Sequence, residues 1–200
     1  MKRITPLDRI ALLVTGLIAA YQVVAGVDGL PVLATWAYTT AFGVLIISSL
    51  LMIINGFDVL DSPLVVIIAT IIPLGLSLGM VIENMPDWHL AYLAFVLVGF
   101  ISILLSRFLL PERAAAITLS LVHGIAGLII IGLPIALVMQ AEKPMLYLFV
   151  SLGGTLIGTG GMLFALLKTG KPILSADKIY TLLPWILSLM SAAFLLGLGA

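Results

Sequence analysis

Cysteine is absent from the 200-residue sequence, and only 9% of the residues are charged, against roughly 25% in a typical soluble domain. Without cysteine the chain forms no disulfide, holds no thiolate-bound metal and has no thiol nucleophile. A water-soluble fold could not cover its apolar interior with so few charges, because 62% of the residues are hydrophobic and the mean hydropathy is +1.32. The composition therefore predicts a chain that is solvated mainly by lipid.

Sequence motifs that carry chemistry are also missing. The charges balance to a net charge of zero, so nothing predicts nucleic acid as a partner. The sequence has no Gly-x-Ser-x-Gly, no His-Glu-x-x-His and no phosphate-binding glycine loop. No family motif is recognised, and no cofactor or metal is predicted. We therefore expect a non-enzymatic protein, although the sequence alone leaves an enzymatic activity open.

Seven apolar stretches are each long enough to cross a bilayer as a helix, which takes about 20 residues. They cover Ile10–Ala25, Pro31–Ile54, Pro63–Ile82, His89–Leu110, Ala114–Met139, Leu146–Leu167 and Ile179–Leu198. Short polar segments rich in turn residues separate them. The pattern predicts an all-α polytopic membrane protein in which residues 1–200 form a single seven-helix transmembrane domain. No small-x-small cleavage site follows the first stretch, so we expect it to be retained as a helix.

Lysine and arginine residues predict how the spans are oriented. If the N-terminus is cytoplasmic, Lys143 is the only basic residue outside. The basic residues that then lie inside are Lys2, Arg3, Arg9, Arg107, Arg113, Lys168, Lys171 and Lys178. We therefore expect the N-terminus inside and the C-terminus outside, in a plasma membrane or an inner membrane of the prokaryotic type.

Three prolines point to a weak internal repeat. Pro31, Pro86 and Pro144 each precede a span that runs from outside to inside, and an aromatic residue and a glycine-containing apolar run follow each of them. The pattern fits three helix hairpins in parallel orientation plus a seventh helix. Unrelated membrane hairpins share such features, so both interpretations stay open.

Small residues recur along the sixth span. Ser151, Gly154, Gly158, Gly161 and Ala165 follow helical spacing, so they share one face of a helix. In lipid such a face lets another helix approach closely. The fifth span carries its own small residues, which are Ser120, Gly124 and Gly127. These eight residues predict a helix-packing seam, either between the fifth and sixth spans or against a partner subunit.

His123 is the one ionisable residue expected near the middle of the membrane, about 14 Å from the start of its span at Ala114. Such groups are costly to bury and are candidates for function. It could bind a cofactor, as the sole ligand of a haem or bacteriochlorophyll, relay a proton or contact a substrate. It could instead be a neutral imidazole satisfied between helices by a serine, a threonine or a backbone carbonyl, with Thr155 and Thr159 as candidate partners. We favour the second role, because no other charge lies at that depth.

Pro73 and Pro134 interrupt the third and fifth spans. Transporters use such interruptions to expose backbone groups to a solute, whereas in ordinary membrane helices they only bend the helix. Together with Thr155 they mark a candidate solute path between the third, fifth and sixth spans. Bending is the commoner role, so the path stays an alternative.

Three functions fit these patterns. We favour a structural or accessory subunit of a larger membrane complex, whose partners are the lipid bilayer and either other membrane subunits or further copies of the chain. The alternative is a transporter or channel for a small neutral or weakly polar solute. A third hypothesis is a redox or proton-handling protein that uses His123.

Overall fold

The structure, a computed structural model, describes residues 3–168, 170 and 172–199, and only the backbone of Lys168. Every regular element in these ranges is helical. The α-helices are α1 (Pro6–Ala25), α2 (Val32–Asn55), α3 (Pro63–Ala69), α4 (Ile71–Asn84), α5 (His89–Leu109), α6 (Glu112–Met139), α7 (Leu148–Lys168) and α8 (Ala176–Leu198). Short 3-10 segments lie at Gly56–Asp61, Pro86–Trp88 and Met145–Tyr147.

Seven helical segments are long and apolar enough to cross a membrane, with α3 and α4 together making the third. The predicted number of spans and the all-helical fold are confirmed. The first span begins at Pro6 rather than Ile10, because a capping box extends the helix. The Asp8 backbone N–H donates to the Thr5 hydroxyl and the Thr5 N–H donates to the Asp8 carboxylate. Pro6 follows the cap, where its missing N–H costs nothing.

The third span breaks at Thr70, three residues before its proline. Because Pro73 has no N–H, the carbonyl of Ala69 has no partner one turn later. The Thr70 hydroxyl and backbone N–H both donate to the carbonyl of Ile67, which tightens the last turn of α3. Pro134 has a different effect, since α6 continues through it from Glu112 to Met139.

Six helices form a closed ring in the order α1, α2, α4, α6, α7 and α8, and α8 packs back on α1. Helix α5 lies outside the ring, against α4 and α6. All six ring helices contribute to one buried apolar cluster, which fills the interior. Its members include Leu12, Phe42, Leu45, Met80, Ile130, Val150, Met190 and Phe194. We call the end of the ring where α2 begins and α4 ends the distal end, and the opposite end the proximal end.

Helix α4 is the most enclosed element, since all residues from Leu74 to Ile82 are buried. Its glycines allow α2 to come very close. A Cβ on Gly75 would lie 2.7 Å from the carbonyl oxygen of Ala37, and one on Gly79 would lie 2.6 Å from the ring of Tyr38. Close approach through small residues is the usual way for helices to pack in lipid. Here it occurs between α2 and α4, where the sequence pattern did not predict a seam.

Candidate functional site

The predicted seam on α7 packs against α6 only in its distal half. The Ser151 hydroxyl donates to the carbonyl oxygen of Ile131 at 2.7 Å. A Cβ on Gly154 would lie 2.7 Å from the side chain of Ile130 and 3.1 Å from that of Ile131. The structure therefore brings Ser151 and Gly154 into direct contact with α6.

The proximal half of the same row has no such neighbour. A Cβ on Gly158 or Gly161 would meet nothing within 4 Å, and Ala165 is exposed. On α6, a Cβ on Gly124 or Gly127 would also meet open space. Ser120 and Gly124 are exposed, and Gly127 is half-buried. The two helices thus part toward the proximal end. We call the six small residues left uncovered the open face: Ser120, Gly124, Gly127, Gly158, Gly161 and Ala165.

His123 lies on α6 beside the open face and is half-buried. Its Nδ1 atom is buried, and no described residue gives it a partner with hydrogen-bond geometry. Neither predicted hydroxyl partner reaches it, because Thr155 and Thr159 donate to the carbonyls of Ser151 and Thr155 at 2.8 Å. The described residues contain no group of three histidine, aspartate or glutamate side chains that could hold a metal ion. Among the described residues, no charged side chain lies against this imidazole to support acid–base chemistry.

The three residues of the candidate solute path lie in different environments. Pro134 is buried in α6, Pro73 lies near the start of α4, and Thr155 is exposed on α7. Several hydroxyl groups elsewhere in the ring donate to carbonyls of their own helices. Examples are Ser49 to Ile46 at 2.8 Å and Ser77 to Pro73 at 2.7 Å. A hydroxyl that donates to a carbonyl of its own helix needs no water as a partner, so these groups do not by themselves mark a water-filled path.

A polar cluster at the distal end joins α2, α4 and the connection between α6 and α7. Glu83, near the end of α4, accepts a hydrogen bond from the Lys143 ammonium at 2.6 Å and another from the Tyr38 hydroxyl at 3.1 Å. The Lys143 ammonium lies 4.9 Å from the centre of the Tyr147 ring. Asn84 donates to the Tyr147 hydroxyl at 3.4 Å. We call Tyr38, Glu83, Asn84 and Tyr147 the distal cage.

The turn after α6 directs Lys143 toward this cage. Ala141 adopts a left-handed conformation with φ of 59°, and the Glu142 N–H donates to the carbonyl of Leu137 at 2.9 Å. This is the bonding pattern of a Schellman helix end, which usually has glycine at the left-handed position. The sequence analysis missed the cage. The available signal was a lysine isolated at the end of the bundle opposite to all other basic residues.

No family model matches the sequence, and neither a curated protein nor a solved structure matches it.

Proposed function

We propose that the chain is a non-enzymatic structural or accessory subunit of a membrane assembly and that it binds its partner through the open face. One observation carries the proposal. The row of small residues on α7 continues for two more turns after α6 has turned away, and a Cβ on Gly158 or Gly161 would meet no described residue within 4 Å.

Elsewhere in the fold, glycines lie where a neighbouring helix comes very close. Gly75 and Gly79 admit α2, and Gly153 admits Phe194 of α8 at 2.8 Å from its Cβ position. Where glycines lie on a packed face, another helix occupies the space. Van der Waals contact through such faces is the main driving force for helix association in lipid, where apolar side chains gain nothing from leaving water. An apolar helix of a second subunit or of another copy of the chain therefore fits the open face.

Transport has less support than association. The interior of the ring is filled by large apolar side chains, among them Phe42, Met80 and Phe194. A transporter or channel for a small neutral or weakly polar solute needs a binding site near the middle of the membrane. The isolated position of His123 likewise gives a redox or proton-handling role no acidic or metal-binding partner within the described part of the chain.

We also propose that the proximal end faces the cytoplasm, across a plasma membrane or a prokaryotic-type inner membrane. Arg9, Arg107, Arg113 and Lys178 lie in segments that end or begin at the proximal end, whereas Lys143 lies at the distal end. An excess of basic residues in short loops marks the cytoplasmic side.

The test of the subunit proposal is a leucine scan of the open face. Gly158→Leu and Gly161→Leu place a large side chain where a partner helix would lie, while the monomer itself has room for it. Overpacking of this kind costs about 1–3 kcal/mol, which weakens association roughly 5- to 150-fold. We expect both variants to lose the high-mass species on native gels of mild detergent extracts, with thermal stability of the monomer unchanged.

Gly132→Leu is the matched control, because Gly132 is exposed on α6 and a Cβ there also meets nothing within 4 Å. This variant should assemble like the parent. Mass spectrometry of the purified high-mass species separates a different subunit from further copies of the chain. If both open-face variants assemble as well as the control, the chain does not associate through this face.

A further inference from the structure

The distal cage has the chemistry of a binding site for a primary ammonium group. Its carboxylate, Glu83, is largely buried, with 13% of the side chain exposed. One carboxylate oxygen accepts a hydrogen bond from the Tyr38 hydroxyl, and the other faces the cation. Beside it stands the face of the Tyr147 ring, which attracts cations through its negative quadrupole. A carboxylate and an aromatic face around one point are the groups that recognise an organic ammonium ion.

Three of the four cage residues, Tyr38, Glu83 and Asn84, lie on α2 and α4, away from the connection that carries Lys143. Tyr38 and Tyr147 are buried residues, at 4% and 2% exposure, and Glu83 and Asn84 lie on the enclosed helix α4. Asn84 is fixed in turn, because its amide donates to the carbonyl of Met80 at 2.9 Å as well as to Tyr147. Helices α2 and α4 therefore position Tyr38, Glu83 and Asn84, whereas Tyr147 comes from the 3-10 segment that precedes α7.

Lys143 lies on the same connection as Tyr147 but is more exposed than Tyr147 and Glu83. It belongs to the short connection between α6 and α7, and 27% of its side chain is exposed. Its ammonium nevertheless sits at 2.6 Å from Glu83 and 4.9 Å from the Tyr147 ring centre. The connection thus places the Lys143 ammonium against the Glu83 carboxylate and the Tyr147 ring.

We propose that the distal cage is a primary-ammonium site and that the chain's own Lys143 is its resident ligand. A small primary amine replaces that ammonium when Lys143 is absent, because the largely buried Glu83 carboxylate then has no cationic partner, which is costly. A metal ion is the poorer occupant, since the described residues supply a single carboxylate and no group of three metal ligands. Occupation by Lys143 fixes the α6–α7 connection over the end of α4.

The decisive experiment is chemical rescue of Lys143→Ala. The purified variant is heated in detergent with 100 mM ethylammonium chloride, and the same variant with 100 mM sodium chloride is the reference for ionic strength. A ligand with three non-hydrogen atoms reaches a Kd of about 1 mM at best. With a Kd of 1–10 mM, we expect ethylammonium to raise the melting temperature by about 3–11 °C.

The double variant Lys143→Ala/Glu83→Gln is the control, because it keeps the cavity and the tyrosine ring but removes the charge that recognises ammonium. It should melt at the same temperature in both salts. If ethylammonium raises the melting temperature of the single and double variants equally, or of neither, the cage is not an ammonium site.

A second measurement uses the unaltered chain, in case Lys143→Ala does not fold. The rate at which acetic anhydride acetylates each lysine is measured by mass spectrometry in detergent at fixed pH. Lys178 is exposed and serves as the internal reference. An ammonium held in the cage should react at least about tenfold more slowly than Lys178, and Glu83→Gln should remove the difference. Equal rates at Lys143 and Lys178 in the unaltered chain would overturn the proposal.

Discussion

Substitution of Gly75 by alanine tests whether close contact with α2 holds the enclosed helix α4 in place. The added Cβ would lie 2.7 Å from the carbonyl oxygen of Ala37 and 3.0 Å from the Cβ of Ala41. The nearer atom belongs to the α2 backbone, so it cannot rotate away as a side chain would. The helices must separate by several tenths of an ångström, and such overpacking costs about 1–3 kcal/mol.

A gain in helix propensity opposes this cost, because alanine is favoured over glycine inside a helix by about 1 kcal/mol. Gly132→Ala measures that gain alone, since Gly132 is helical and its Cβ position is open. The difference between the two variants isolates the steric term. We expect Gly75→Ala to be less stable than Gly132→Ala by about 1–3 kcal/mol.

The assay is reversible unfolding in mixed micelles with increasing mole fraction of SDS, followed by circular dichroism. Gly132→Ala should unfold at or above the SDS fraction of the parent, and Gly75→Ala clearly below it. Coincident curves for the two variants would show that α2 and α4 do not depend on backbone contact at Gly75, and the account of the α2–α4 interface would then be wrong.

Two further predictions concern the seam and the orientation. Ser151→Ala should lower the free energy of unfolding by about 0.5–1 kcal/mol, because the Ser151 hydroxyl donates to the Ile131 carbonyl of the neighbouring helix. Thr159→Ala should have almost no effect, because the Thr159 hydroxyl donates to a carbonyl of its own helix. An equal loss of stability for the two variants in the same SDS titration would contradict the interhelical role of Ser151. Because the chain has no cysteine of its own, Asp87→Cys should react with a membrane-impermeant maleimide on intact cells and Glu112→Cys only after permeabilisation. The reverse result would invert the proposed orientation.

The number of spans was predictable because it depends on the length of apolar runs alone. Each helix between polar breaks must be long enough to cross the bilayer, whatever its neighbours are. The position of the break in the third span was harder to predict than its cause. Pro73 signalled an interruption, but the chain breaks one turn earlier, where the proline leaves a carbonyl without a donor.

Interhelical contacts were less predictable, because they join residues far apart in sequence. Helical spacing showed that Ser151, Gly154, Gly158, Gly161 and Ala165 share one face of α7, but not how much of that face α6 would cover. Gly75 and Gly79 meet α2 across more than thirty residues, and Lys143 meets Glu83 across 60. The sequence does not mark Glu83 for this role, because its partners Tyr38 and Lys143 lie 45 and 60 residues away in the chain.

Closure of the ring between α1 and α8 has a consequence for biosynthesis. The Ser188 hydroxyl donates to the carbonyl of Ala11 at 2.6 Å and lies 3.1 Å from the Thr15 hydroxyl, which is 173 residues earlier in the chain. At roughly 5–20 residues per second, a ribosome needs about 10–35 s to cover that distance. Throughout this interval the membrane already holds α1 with its Thr15 side unoccupied. The nascent chain is therefore exposed to competing helices, or to a chaperone of membrane insertion, until its last span arrives.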